Sequence, residues 1–276
     1  MKNSYDGDTE KAGTGNLVNL TYNIGDASIV SGQTLTPWGQ GNVTLGGSEK
    51  NVTVTFSNLN SNTVTGGVSL DGDITLKGTN AATALSIFNG ATVNVNLNGK
   101  VSVETSGTGT ATIASGDSLK MLGGLGGTGT LAVNTRNNAG ALTLGGDVSG
   151  FSGTLNLSGA NLYLNADTPL AGTLNASTAK VTALRKQNVT GTLNAASLAV
   201  DGSALSSDGA TLTVSNLALG ADAGVSLDIN GNITAGTYTL VSWDNLTAGN
   251  FANAGTMTLT GALASLYQGT FNVNIG

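Results

Sequence analysis

Hydrophobic and polar side chains alternate in short runs along most of this chain. The clearest are "VTVTF" from Val52, "VSL" from Val68, "VNVNLNG" from Val93, "TLNL" from Thr154 and "YTLV" from Tyr238. A period of two sends successive side chains to opposite faces of a strand. In the third run Val93, Val95 and Leu97 share one face, and Asn94, Asn96 and Asn98 share the other. Each run therefore predicts a short strand with one face in a core and one in water. Gly, Asn, Asp and Ser separate the runs, and these residues tolerate turn conformations. Residues 176–187, "ASTAKVTALRKQ", hold several helix formers, yet they fall between two copies of a repeat at unbroken spacing and are read as one more β coil.

That repeat is the tetrapeptide GTLN, at Gly153-Thr154-Leu155-Asn156, Gly172-Thr173-Leu174-Asn175 and Gly191-Thr192-Leu193-Asn194. The spacing is 172 − 153 = 19 and 191 − 172 = 19, and one further step lands on Thr211-Leu212. Gly236-Thr237 and Gly255-Thr256 also differ by 255 − 236 = 19, while Gly129-Thr130-Leu131 precedes Gly153 by 153 − 129 = 24. An antiparallel sandwich has no reason to reuse a tetrapeptide at fixed spacing, whereas a solenoid stacks equivalent positions above one another. The expected fold is all-β: a single-stranded right-handed parallel β-helix (β-solenoid) of about 19–24 residues per coil and about 13 coils over residues 16–276. The right hand follows from the general chirality preference of parallel crossovers. Leu155, Leu174, Leu193 and Leu212 are expected to form one internal column. Residues 1–15, polar and without alternation, are expected to be a flexible tail.

Composition narrows the chemistry. The 276 residues are 39% hydrophobic but only 4% aromatic and 9% charged, so a core here is aliphatic. There is no Cys and no His. Disulfides, thiol chemistry, the commonest metal ligand and every Ser-His catalytic arrangement are thereby excluded. A net charge of −6, with ten cationic residues scattered except around Lys180, Arg185 and Lys186, does not suit a run of phosphates, so nucleic acid is not an expected partner. No stretch has the length of a transmembrane helix, and the N-terminus lacks an apolar signal region.

Residues 142–164, "LTLGGDVSGFSGTLNLSGANLYL", resemble the autotransporter-associated β-strand repeat: alternating strand, Gly-rich turn, aromatic-x-Gly, then a Gly-Thr-Leu strand. Phe151, Gly153, Thr154 and Leu155 match its pattern, and residues 236–251, "GTYTLVSWDNLTAGNF", are similar to the end of such regions. The resemblance implies a passenger segment of a surface-displayed or secreted bacterial protein, mostly a right-handed parallel β-helix, often adhesive. The membrane β-barrel that anchors that family needs a long series of roughly ten-residue strands. None is seen in this sequence, so a different or separate anchor is expected.

Several motifs are candidates for chemistry. Gly116-Asp117-Ser118-Leu119 spells the signature of a serine esterase family, but without His nothing removes the Ser118 proton. Gly123-Gly124-Leu125-Gly126-Gly127-Thr128 resembles the start of a calcium nonapeptide with Thr128 in place of the Asp ligand, and reads as a turn. Asp71-Gly72-Asp73 with Lys77 is the best enzyme candidate, because β-helix lyases and hydrolases gather carboxylates beside a cationic base. Gly between two Asp residues is also what a tight turn wants, and the turn is the preferred reading. T-x-T pairs such as Thr53-Thr55, Thr237-Thr239 and Thr256-Thr258 suggest an ice-binding array, but the shared interval does not extend over many coils, and Thr is read as strand filling. Trp38, Tyr163 and Trp243 are either packing residues or sugar-stacking platforms. The Asn-x-Thr sites at Asn42, Asn51 and Asn188 are read as chance matches in an Asn- and Thr-rich chain.

The function expected is a non-enzymatic adhesin or spacer on the bacterial surface or secreted. It would have no cofactor and no metal, and a host glycan or extracellular-matrix protein would be its partner. A polysaccharide lyase or hydrolase using Asp71, Asp73 and Lys77 is the alternative, and a trimeric fibre or tailspike subunit the next. End-to-end self-association is also expected where end coils expose strand edges.

Overall fold

A computed structural model describes residues 17–23, 42–47, 51–57, 67–87, 94–251, 255–256, 258–267 and 270–271. Within them the chain is nearly all β, without α-helix, and its only helical segments are the short 3-10 turns Arg136–Asn138, Gly202–Ala204 and Ala264–Leu266. The strands form a strongly curled 17-stranded sheet and a 4-stranded sheet, both parallel. Gly255–Thr256 and Thr270–Phe271 make an antiparallel pair. Such curled parallel sheets are compatible with a β-solenoid.

Each strand pairs with the equivalent strand of the next repeat, so the alternation that predicted strands also decides what stacks. A first column runs through Ala82–Ser86, Thr110–Ala114, Thr130–Asn134 and Thr154–Ser158. It continues into the leading halves of Thr173–Ala183 and Gln187–Asp201. A second runs through Asn94–Leu97, Ser118–Met121, Ala141–Gly146 and Asn161–Ala166, then the trailing halves of the same two long strands. A third holds Val43–Gly47, Ile74–Thr79, Val101–Ser106 and Leu125–Gly127, and single bridges carry on in the same sense from Gly127 to Phe151 and from Leu170 to Val189. Residues 176–187 hold no helix: Thr173–Ala183 is one strand that turns from the first column to the second across an irregularity between Ala176 and Lys180.

Inside the first column Leu131, Leu155, Leu174, Leu193 and Leu217 stack in register, all at most 1% exposed. Burying each such side chain contributes about 1.5–3 kcal/mol of transfer free energy. The column therefore departs from the sequence expectation at its last step. Leu193 pairs with Leu217, a step of 217 − 193 = 24, and Leu212 instead pairs with Gln187 and Val241 in another column. The cause is an insertion: Asp201 accepts hydrogen bonds from Ser203 N at 2.8 Å and Ser203 Oγ at 2.6 Å, closing a turn that lengthens this repeat. Leu212 is nonetheless fully buried: its hydrophobicity marks a core position, and the insertion changes only its neighbours. Longer steps occur towards both ends, 83 − 52 = 31 and 241 − 212 = 29. The column accordingly holds ten described rungs, from Val18 to Leu246, against the 13 coils expected. Gly236-Thr237 and Gly255-Thr256 do not stack, because Thr237 lies outside the strands and Thr256 pairs with Thr270.

The recurring Gly of GTLN has a direct physical reason. A Cβ at Gly153 would lie 2.0 Å from Gly129 O, at Gly172 2.6 Å from Gly153 O, and at Gly191 2.1 Å from Gly172 O. The backbones of successive turns touch there, and only Gly leaves room. Residues 1–15, Trp38 and Val93 lie outside the described residues.

Candidate functional site

Asp71, Asp73 and Lys77 each make contacts to neighbouring repeats. Asp71 Oδ1 accepts from Ser69 Oγ at 2.9 Å and from Asn98 Nδ2 at 2.6 Å. Asp73 Oδ1 accepts from Lys100 N at 2.8 Å, while Asp73 N donates to Asn42 Oδ1 at 2.9 Å. Asn42 and Asp73 thus perform one job in successive repeats: an Asx side chain at the turn holds the first N–H of the next turn. Asn51 does the same for Ala82 N at 2.7 Å. Lys77 pairs with Glu104 at 3.1 Å, its register neighbour.

Ser118 donates to Asn94 Oδ1 at 2.6 Å, one rung away. In the Gly-rich run, Gly124 and Gly127 have φ of +101° and +96°, and a Cβ on either would stand 2.1 Å from a backbone oxygen of the neighbouring repeat. The turn reading is therefore corrected: Leu125–Gly127 is a short strand paired with Val101–Val103, its glycines admit the neighbouring backbones, and Thr128 is exposed. Close by, Asp147 Oδ1 accepts from Ser149 Oγ at 2.7 Å, Ser149 N at 3.0 Å and Thr168 Oγ1 at 2.9 Å. These donors, the Ser149 hydroxyl foremost, hold its carboxyl well below the usual carboxylate range, and Lys100 at 3.6 Å adds a smaller push in the same direction. Among the described residues no three acidic, His or Cys side chains are grouped to hold a metal ion, and no helix is long and apolar enough to cross a membrane.

The outward rows distinguish the three faces. On the first face Thr130, Thr154, Thr173 and Thr192 stack, followed by Asn216 and Asn245, and beside them Asn156, Asn175 and Asn194 form a second row. Asn175 Nδ2 donates to Asn156 Oδ1 at 3.0 Å. The lattice is Thr-x-Asn rather than T-x-T, and it is uncharged. The third face carries the balanced Lys77 and Glu104 pair. Trp243 stands in register with Val214, packs on the core and meets Phe251 with ring centroids 4.9 Å apart, so it is a packing residue.

The second face is different. Lys120, Thr143 and Tyr163 occupy one outward row on three successive rungs, beside a row of Ser118, Ala141, Asn161 and Lys180. Tyr163 is half-buried and Lys120 exposed. Among the described residues Lys120 has no ion-pair partner, whereas Lys180 reaches Asp228 at 4.0 Å. Beside Ala141 lies an open recess of about 320 Å³, lined by Asp117, Arg136, Ala139, Gly140 and Ala141. Arg136 Nε donates to Asp117 Oδ1 at 2.6 Å, which fixes the guanidinium at the rim. Sequence reasoning named Tyr163 and Asp117 but missed Lys120 and Arg136, because only the register brings these residues together.

Comparison with known proteins gives no match among family models, curated proteins or solved structures.

Proposed function

We propose that the chain is a right-handed parallel β-solenoid of the autotransporter passenger type, displayed on a bacterial surface or secreted, acting as a non-enzymatic adhesin or spacer. The observation that carries this reading is the unbroken register of the first column from Leu131 through Leu155, Leu174 and Leu193 to Leu217. Stacking at about 4.8 Å per rung makes ten rungs roughly 40 Å long and turns polar rows outward along that length. A long, repetitive polar surface binds through many weak contacts whose effects multiply. The resemblance of residues 142–164 to the passenger repeat agrees with this, since Phe151 fills the core and Gly153 admits the neighbouring backbone. The turn contacts of Asp71 and Asp73 and the strand pairing of Lys77 with Glu104 favour a structural role over a lyase or hydrolase.

A glycan and matrix-protein array run with and without Ca²⁺, with product analysis on every bound polysaccharide, tests the proposal. Binding without cleavage is the expected result. Calcium-dependent depolymerisation that disappears in Asp71→Asn would overturn it in favour of the enzyme.

A further inference from the structure

We propose that the second face, from the recess at Arg136 to Tyr163, is a binding site for an anionic polysaccharide, an inference that rests on the adhesin reading. Three independent features meet there. Tyr163 offers a partly exposed ring in an outward row, a surface on which the apolar face of a sugar stacks. Lys120 lies two rungs away in the same row, about 10 Å along the axis, and is exposed and unpaired among the described residues. The recess beside Ala141 is large enough to seat part of a ligand and keeps Arg136 in a fixed orientation.

Charge selects the ligand class. Asp117 balances Arg136 and Asp228 faces Lys180, which leaves the Lys120 ammonium as the uncompensated charge of the patch. A sugar chain carrying sulfate or carboxylate groups supplies the missing anion, and its hydroxyls find donors and acceptors in Ser118, Thr143 and Asn161 along the rows. The Thr and Asn rows described on the first face carry no charge, and on the third face Lys77 is paired with Glu104. A chain lying along the solenoid axis would meet the recess, Lys120 and Tyr163 together, so that weak individual contacts act as one.

The test uses the whole chain with a fluorescent sulfated glycosaminoglycan octasaccharide and a neutral dextran oligosaccharide of similar length. The sulfated probe should bind, weaken as salt rises, and outcompete the neutral probe by about tenfold or more. Lys120→Glu and Tyr163→Ala should each lose about tenfold in affinity, while Thr154→Ala on the first face binds as the wild type does. Because Lys120 is exposed and without an ion-pair partner among the described residues, Lys120→Glu should keep its melting temperature, and the binding loss then reports the site. Wild-type affinity in both second-face variants would overturn this site and leave the adhesin reading standing. Equal binding of the neutral probe would overturn the anionic specificity. Failure of the wild type to bind any glycan or matrix protein on the array would overturn both this site and the adhesin reading, leaving only the spacer.

Discussion

Gly172 lies against the ring of Phe151: a Cβ at Gly172 would stand 2.7 Å from Phe151 Cδ1 and 2.8 Å from Cε1. Phe151 is among the largest fully buried side chains, so the ring cannot move aside into solvent. Gly172→Ala should therefore cost about 1–3 kcal/mol through overpacking. Phe151→Ala should cost about 3–5 kcal/mol through the cavity it leaves. Combined, the two should be less than additive, because removing the ring makes room for the new methyl. Denaturant unfolding of the two variants and the double variant checks this.

The leucine column predicts position-specific coupling. Leu174→Ala should destabilise by about 2–5 kcal/mol. Leu193 touches the same rung interface, so Leu174→Ala and Leu193→Ala should be non-additive, whereas Leu174→Ala and Leu227→Ala, which share no pairing, should add within about 0.5 kcal/mol. A double-mutant cycle distinguishes these outcomes.

Asp73 should behave as a turn residue. Asn retains the oxygen that accepts from Lys100 N, so Asp73→Asn should change stability by only a few tenths of a kcal/mol, while Asp73→Ala should cost about 1 kcal/mol. Thermal unfolding of the two variants measures the difference.

Acid stability depends on Asp147. Its carboxyl is depressed below the ordinary value of 3.8 by Ser149 and Thr168. A depressed folded-state value stabilises above the unfolded value and is lost on acidification below it. Near neutral pH this contribution should be fully present and independent of pH, and the urea midpoint should begin to lose it as pH drops below about 4. Asp147→Asn should show a shallower acid decline than the wild type.

The sequence displayed the stacking where coils are shortest. Between Gly153 and Asn194 no insertion intervenes, so the spacing of 19 reports the pairing of Leu155, Leu174 and Leu193 directly. Where turns carry extra residues, periodicity alone misplaces the partner, as it did for Leu212. Three columns per repeat were not legible either, because alternation marks strands without saying which faces they share. The second-face site was hidden for the same reason: Lys120 and Tyr163 are 43 residues apart, 163 − 120 = 43, and only the pairing through Thr143 makes them neighbours. Nor does the sequence show that the Asp71 and Asp73 carboxylates accept from Asn98 and Lys100, contacts that favour a turn role.

The register claim has a direct chemical test, since the chain has no native Cys. Thr192 pairs with Asn216 across the first face, whereas a strict spacing of 19 would place it beside Thr211. In-register partners satisfy the Cα separation a disulfide needs. The Thr192→Cys, Asn216→Cys double variant should therefore oxidise readily to an intramolecular disulfide, and Thr192→Cys, Thr211→Cys should not. Efficient crosslinking of 192 to 211, with none between 192 and 216, would contradict the arrangement described here.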